Sequence, residues 1–261
     1  MYPEIEIGPL TLQTFGLMFA LAFLAAGALI WKRFEELGKP GDWAYEMGFA
    51  ALAGGIVGSR VYFLAQNWSE VQDDLLGNVF SGSGLVWYGG VIGGALAVCA
   101  WARWRGFLEL TLLDVAAPAL ALGYAIGRCG CQLSGDGDYG KPWDGPWAMA
   151  YPDGTVPTDQ TVHPTPIYET LAMGLGAWFL WQLRDRVRPG ILFAIYLLYA
   201  GMERFLVEFL RRNSDTALGL TTAQLESLGM MVAGAVWIAI VARRHGGIWR
   251  PAANQALRPS V

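Results

Sequence analysis

The 261-residue sequence is poor in charge, since Asp, Glu, Lys and Arg together make up only 15% of it. It has no long basic block, and its net charge is −4, which argues against nucleic acid as a partner. Its three cysteines are too few for a disulfide framework. Cys129 and Cys131 form a CxC pair with no nearby histidine pair, so we expect no metal and no cofactor.

Apolar residues dominate instead, at 54% of the chain with a mean hydropathy of +0.35. A helix that crosses a bilayer needs about 20 mainly apolar residues. Seven segments fit this pattern: 10–31, 43–64, 85–102, 111–127, 167–183, 190–209 and 222–242. We therefore predict an all-α polytopic integral membrane protein with about seven transmembrane helices in a single domain, 1–261. Glu4 and Glu6 replace the basic start of a signal peptide, so the first segment is expected to remain in the mature protein.

Basic residues concentrate in alternate connections, for example at Arg103, Arg105, Arg184 and Arg186. Such connections face the cytoplasm in most membrane proteins. The N-terminus is then outside the cell, and the C-terminus, with a tail at 245–261, is cytoplasmic. The longest connection, 128–166, is predicted to be an ordered outward-facing loop, because it is rich in aromatic and turn residues.

Glycines recur at a spacing of four residues at 54–58, 89–93 and 90–94. This spacing lets two helix backbones approach closely within a membrane. It predicts a tightly packed helix pair and carries no further information about function.

Two arginines lie in or beside apolar segments, where an isolated charge costs roughly 3 kcal/mol. Arg128 ends the fourth segment and precedes a glycine-rich stretch, and its planar guanidinium suits a phosphate. It could equally extend to the membrane surface. Arg204 lies in the sixth segment, four residues before Glu208, so the two could form an internal ion pair, with Arg211 extending the same stripe. Arg60 is a third such cation, close enough to a helix end to reach the surface.

His163 precedes the fifth segment, whose first turn contains Tyr168 and Glu169. A lone histidine in an outward loop is more often a solvated residue than a base. Imidazole is nevertheless the side chain best suited to move a proton near neutral pH, so both interpretations stay open.

Taken in order along the chain, six segments resemble motifs of the prolipoprotein diacylglyceryl transferases, a family of bacterial inner-membrane enzymes. They are QTFGLM at 13–18, GSRVY at 58–62, SGLVWYGG at 83–90, GRCGCQLSGDGDYG at 127–140, HPTPIYE at 163–169 and RFLVEFLR at 204–211. The last of these, together with Arg128, is the most specific.

The resemblance implies a multi-pass protein of the bacterial inner (plasma) membrane that uses two substrates. The diacylglyceryl group of phosphatidylglycerol would move to the thiol of a lipobox cysteine in a prolipoprotein signal peptide. The products would be a thioether and glycerol phosphate. Negative charge then builds up on the departing phosphate, and the thiol must lose a proton.

The resemblance also implies roles for individual residues. Arg128 and Arg204 match the arginines used for the lipid phosphate and for catalysis, and Glu208 matches the carboxylate that follows. Asp136 lies where the family often has Glu. We expect further substrate-binding residues at Arg60, Tyr88, Gly89, Gly90, Cys131, Ser134, Gly140, Tyr168 and Glu169.

Four positions depart from the familiar pattern. Tyr88 replaces a histidine, Phe15 replaces a frequent tyrosine, and Cys131 and Ser134 replace asparagines. The proton acceptor for the thiol is therefore open among His163, which is our first choice, Asp136 and Tyr88. Tyr88 is a poor base unless a cation is near it, because the pKa of an ordinary tyrosine is about 10.

Two other functions remain as alternatives at this point. A relative that has lost the chemistry would bind or transport lipid without making a thioether. An ion channel or transporter would use the arginines to attract anions, but the chain has no internal repeat of the kind found in many transporters.

Overall fold

The computed structural model describes residues 1–72, 86–214, 216 and 219–251. The start of the third predicted segment, positions 83–85 of one motif, and most of the predicted 245–261 tail lie outside these residues. Contacts between Cα atoms divide the chain into two compact units, Ile30–Leu112 and Met1–Leu29 with Leu113–Val261. This division does not test the single-domain interpretation, which stays a prediction.

The described residues form eight helices and four short strands. In chain order they are β1 (Glu4–Ile7), β2 (Leu10–Gln13), α1 (Thr14–Glu36), α2 (Trp43–Gln66), α3 (Trp68–Val71), α4 (Trp87–Arg105), α5 (Leu110–Ser134), β3 (Met149–Tyr151), β4 (Thr158–Val162), α6 (Thr165–Leu183), α7 (Ile191–Glu208) and α8 (Thr222–His245). Among these, α1, α2, α5 and α8 are long and apolar enough to cross a membrane by length and composition. The prediction of a helical membrane protein is confirmed.

Two antiparallel hairpins lie outside the helices, which the all-α prediction did not include. β1 pairs with β2 so that Glu4 faces Gln13, and the Gln13 Nε2 donates to Glu4 Oε1 at 2.7 Å. The alternating residues of β1 and the Gly8 turn, with φ of 62°, are typical of a hairpin. β3 pairs with β4 in the same way.

In the Ile30–Leu112 unit, the predicted close packing of glycines is confirmed. A Cβ placed on Gly58 of α2 would lie 2.7 Å from the Cα of Gly93 in α4 and would also collide with the Gly89 carbonyl oxygen. Any side chain larger than hydrogen would therefore force these helices apart. Near the other end of α4, Arg105 Nε donates to Glu46 Oε2 of α2 at 2.7 Å.

In the second unit, small residues on one face of α5 build a core with α6 and α7. Ala117, Ala121 and Ala125 recur every four residues and are buried against apolar side chains of the other two helices, including Met173, Leu180, Ile191 and Leu192. The Asp114 carboxylate accepts from the backbone N–H groups of Gly190 at 2.7 Å and Phe193 at 3.0 Å, at the start of α7. The negative charge is favourable there because a helix N-terminus is positive.

The helix α5 runs seven residues past the predicted end of the fourth segment. The stretch from Arg128 to Ser134, which we predicted to begin the ordered outward-facing loop, is helical. This correction has a local reason, because the end of the helix is held by the residues before β1, where the Tyr2 N–H donates to the Leu133 carbonyl at 3.0 Å. The connection that follows has its own small core of Tyr139, Tyr151 and Val162.

The glycine contact yields a matched test. Gly58→Ala should lower the melting temperature of the detergent-solubilised protein, because overpacking costs about 1–3 kcal/mol. Gly55→Ala, on the same helix, is the control, since its Cβ would meet only the Gly90 carbonyl oxygen at 3.6 Å. Both changes improve helix propensity equally, so equal melting temperatures would contradict the packing explanation.

Candidate active site

Three arginines from separate positions in the chain surround the carboxylate of Glu169. Arg128 lies in the last two turns of α5, Glu169 in the first turns of α6, Arg204 near the end of α7, and Arg211 just after α7. Arg128 Nε pairs with Glu169 Oε2, while Arg204 Nη1 and Arg211 Nη1 lie 3.3 and 3.6 Å from Oε1. The side chain of Glu169 has no exposed surface.

Glu208 forms a second contact point for two of these arginines. Its Oε2 lies 3.0 Å from Arg204 Nη2 and 3.8 Å from Arg211 Nε, and its side chain is also fully buried. The amide of Asn213 donates to Oε1 at 2.6 Å. The ion pair between Arg204 and Glu208 that the sequence offered as an alternative is therefore present, as part of a larger network.

Asp138 provides a third carboxylate, from the loop after α5. Its Oδ2 pairs with Arg128 and its Oδ1 with Arg211. Burial alone would raise the pKa of Asp138, but the charges of Arg128 and Arg211 outweigh it and lower the pKa. For Arg211, burial would lower the pKa, and the charge of Asp138 raises it instead. The carboxylate and both guanidinium groups are therefore charged near neutral pH.

These six side chains form an electrically balanced network of three cations and three anions, linking α5, α6 and α7. Tyr124 supports Arg128 one turn earlier in α5, because its hydroxyl accepts from Nη2 at 3.2 Å and its ring lies 5.0 Å from the guanidinium carbon. In the described part of the chain, the neighbouring Glu203 stays outside these ion pairs.

The loop that brings Asp138 to the network is fixed by hydrogen bonds. Thr165 Oγ1 donates to the Asp138 carbonyl oxygen at 2.6 Å. The Gly140 N–H donates to the His163 carbonyl at 2.8 Å, and the Lys141 N–H donates to the Leu210 carbonyl at 2.7 Å. A Cβ on Gly140 would lie 2.9 Å from that of His163 and would be too close to the Leu210 carbonyl oxygen. The predicted site residue Gly140 thus allows the loop to lie against the end of α7.

His163 and Tyr168 lie beside this loop in an aromatic cluster. The imidazole stacks on Trp143 with ring centroids 4.4 Å apart, and its Nδ1 lies 3.3 Å from the Tyr168 hydroxyl. The Trp147 Nε1 donates to the same hydroxyl at 2.7 Å. Burial lowers the pKa of His163, so the imidazole is neutral at pH 7 and able to accept a proton.

Three further predicted site residues, Cys131, Ser134 and Asp136, lie at the end of α5 or just after it. Cys131 is buried with its Sγ 3.7 Å from Arg128 Nη1, and Ser134 is buried with its carbonyl accepting from the Thr155 N–H at 2.8 Å. Asp136 Oδ1 accepts from the Asp138 N–H at 3.2 Å and so shapes the turn that carries Asp138. One ligand atom each from Cys131, Asp136 and Asp138 lies within 4.8 Å of the others, but the arginines already held by Asp138 oppose a metal cation there.

The remaining predicted substrate-binding residues belong to the Ile30–Leu112 unit. Arg60 is buried, with its guanidinium carbon 5.1 Å from the Phe63 ring centroid. Tyr88 is exposed and packs against Trp87. Gly89 contacts the backbone of α2, and a Cβ on Gly90 would lie 2.7 Å from the hydroxyl oxygen of Ser59. The glycines thus have packing roles, and substrate contact at all four positions stays a prediction.

Comparison with known proteins agrees with the sequence motifs. A family model described as prolipoprotein diacylglyceryl transferase matches residues 4–240. The chain belongs to that family. Its membership confirms the resemblance inferred from the six motifs, which include Arg128, Glu169, Arg204 and Glu208 of the network.

Relatives from several bacteria match nearly the whole chain. A protein named phosphatidylglycerol–prolipoprotein diacylglyceryl transferase from Clostridium tetani is 32% identical over 234 residues, covering 88% of this chain and 93% of the relative. One of the same name from Methylococcus capsulatus is 32% identical over 264 residues, covering 94% and 98%. A third, from Gloeobacter violaceus, is 30% identical over 250 residues and covers 92% of each chain.

Sequence reasoning missed two members of the network. Asp138 was not singled out, although it stands beside Asp136 in the GDGD stretch of the loop motif. Arg211 was noted only as an extension of the α7 stripe. Its spacing of seven residues from Arg204, or two helical turns, was the available signal.

The buried carboxylates can be tested against each other. Glu169→Gln keeps the side-chain size but leaves three guanidinium groups with one fewer anion. We expect it to cost about 3–5 kcal/mol in the free energy of unfolding. Glu208→Gln, equally buried but in contact with two arginines, should cost less. Thermal unfolding in detergent would measure both, and a larger loss for Glu208→Gln would contradict the central position of Glu169.

Proposed function

We propose that this protein transfers the diacylglyceryl group of phosphatidylglycerol to a cysteine thiol of a prolipoprotein. The bond between a glycerol carbon of the diacylglyceryl group and the phosphate oxygen breaks, and a bond between that carbon and the cysteine sulfur forms. The phosphate leaves as glycerol phosphate, and the thiol proton goes to a base. Membership of the family supports this reaction.

The observation that carries the proposal within the fold is the convergence of Arg128 and Arg204 on Glu169. Family resemblance assigns both arginines to the lipid phosphate, and their guanidinium groups share one buried carboxylate. Fixed cations in a low-dielectric site stabilise a departing phosphate without having to reorganise during the reaction. In this proposal, Glu169 and Glu208 hold the two guanidinium groups in position, and Arg211 adds a third cation.

His163 remains our first choice for the base that takes the thiol proton. Its lowered pKa keeps it neutral near pH 7, and the Tyr168 hydroxyl beside Nδ1 can orient the ring. Asp136 is a weaker choice, because it already accepts a backbone N–H in the turn. Tyr88, the third candidate, is a poor base unless a cation is near it.

The finer membrane arrangement is part of the proposal. We infer seven transmembrane helices by adding α4, α6 and α7 to the four that are apolar enough on composition alone. The helix α7 is only 18 residues long, and Glu203, Arg204 and Glu208 all fall in its last six residues. Two of these three charges, Arg204 and Glu208, belong to the network and neutralise each other.

The basic connections described above support an inner-membrane protein with its N-terminus outside and its C-terminus in the cytoplasm. In that orientation, the connection that carries Asp138 and His163 faces outward. The thiol acceptor is then a lipobox cysteine at the outer surface, next to the end of a signal peptide that itself lies in the membrane.

Incubation of the purified protein with labelled phosphatidylglycerol and a lipobox peptide tests the reaction directly. The expected product is a peptide that carries the label through a thioether, together with free glycerol phosphate. Lipid binding without thioether would support a non-catalytic relative instead.

Arg128→Gln and Arg204→Gln should each reduce the rate of thioether formation by about 10²–10³-fold, because each removes one cation from the departing phosphate. Arg212→Gln is the matched control. Arg212 follows Arg211 directly but lies over the Tyr139 ring, with its guanidinium carbon 4.3 Å from the ring centroid, and is exposed. Full activity in Arg128→Gln would exclude the phosphate role.

The base assignment predicts a particular pH dependence of kcat/KM. Since burial lowers the pKa of His163 below its ordinary value of 6.5, activity should rise with pH on the acid side, with a midpoint below pH 6.5, and then level off. His163→Gln should remove that rise and most of the activity. His245→Gln changes the other histidine of the chain and should keep the wild-type profile. A profile unchanged in His163→Gln would eliminate His163 as the base.

A further inference from the structure

Asp138, like Glu169, binds different arginines of the network with its two oxygens. Each of its oxygens takes a different guanidinium group, Oδ2 that of Arg128 and Oδ1 that of Arg211. Two oxygens of a phosphate group could take the same two partners, because arginine binds carboxylate and phosphate with the same planar donor fork.

Asp138 is also the carboxylate that can leave. The side chains of Glu169 and Glu208 have no exposed surface and are carried by helices, whereas that of Asp138 is 30% exposed and is carried by a loop. Removing either glutamate from its place would move a charge through the protein interior, which is costly. Asp138 has a path to water.

The main chain at Asp138 is anchored independently of its side chain. Thr165 Oγ1 donates to its carbonyl oxygen, and its N–H donates to Asp136 Oδ1. Rotation about the Cα–Cβ bond can therefore move the carboxylate off the arginines while the loop keeps its position. The preceding residue, Gly137, has no side chain to obstruct this rotation.

The charge balance of the network also favours displacement of the Asp138 carboxylate by another anion. With Asp138 in place, the ion-paired groups are three cations and three anions, so they offer no net attraction to another anion. Without the Asp138 carboxylate, three guanidinium groups face two glutamates, which leaves one positive charge. A phosphodiester has one negative charge and would restore the balance.

We infer that the Asp138 carboxylate holds the place of the substrate phosphate on Arg128 and Arg211, and that a phosphodiester lipid binds by displacing it. The inference rests on the proposed function for the identity of the lipid. It makes Asp138 a determinant of specificity, since a ligand must supply an anion on the same two arginines to replace it.

The test compares Asp138→Asn with Asp138→Glu in binding of phosphatidylglycerol in nanodiscs. Asparagine removes the competing charge, so we expect an apparent Kd about tenfold lower than that of the wild type, because a larger fraction of the protein is ready to bind. Glutamate keeps the charge and should show no gain. Asp144→Asn is the control, since Asp144 is an exposed loop carboxylate whose partner is Thr161.

Weaker or unchanged binding in Asp138→Asn would overturn the inference and leave Asp138 as a residue that positions the arginines. Separate titrations with phosphatidylcholine nanodiscs and with inorganic phosphate identify the ligand. A gain confined to inorganic phosphate would also overturn it, because the displacing group would then be a free ion. Failure of the wild type to form thioether would reject the proposed transferase reaction but would leave this binding comparison intact.

A measurement on the wild-type protein covers the case in which Asp138→Asn does not fold. Infrared difference spectra with and without phosphatidylglycerol, taken with isotope-labelled aspartate, should show a carboxylate band that shifts when the lipid binds. The shift is expected because the carboxylate exchanges two guanidinium partners for water. Spectra in which no aspartate band changes would contradict displacement.

Discussion

A carboxylate without exposed surface, in contact with three guanidinium groups, is the interaction on which the rest of the candidate site depends. Glu169 lies in the first turns of α6, with Arg128 on one of its oxygens and Arg204 and Arg211 on the other. In a low-dielectric setting, three unpaired cations would repel one another strongly. The position of α5, the end of α7 and the loop after α5 must therefore all be compatible with this one side chain.

The same balance suits the proposed chemistry. Arginines that are already oriented by carboxylates need little reorganisation when charge develops on a phosphate. They are also largely neutralised, which makes them tolerable near a membrane. In our proposal, the site meets two opposing requirements, stability in a bilayer and attraction to an anionic lipid, by placing one of its anions on a loop rather than on a helix.

The sequence predicts those parts of the site that depend on local spacing. Arg204 and Glu208 are four residues apart, which predicts their ion pair. The glycines of α2 and α4 have the same spacing, which predicts the close contact of these two helices. The pairing of Asp138 with Arg211 joins residues 73 positions apart, and no periodic pattern signals it. The continuation of α5 to Ser134 was missed because the glycines and cysteines after Gly127 favour a loop. They can also extend a helix, and here the Leu133 carbonyl near the helix end accepts from the Tyr2 N–H.

The charges at the end of α7 have a consequence for how the protein enters the membrane. Glu203, Arg204 and Glu208 make this helix a poor candidate for insertion on its own. Arg128 of α5 and Glu169 of α6 precede it in the chain and are available when it emerges from the ribosome. In the proposed arrangement of seven spans, integration of α7 is therefore coupled to helices made earlier, and a defect in either partner would affect biogenesis before it affects catalysis.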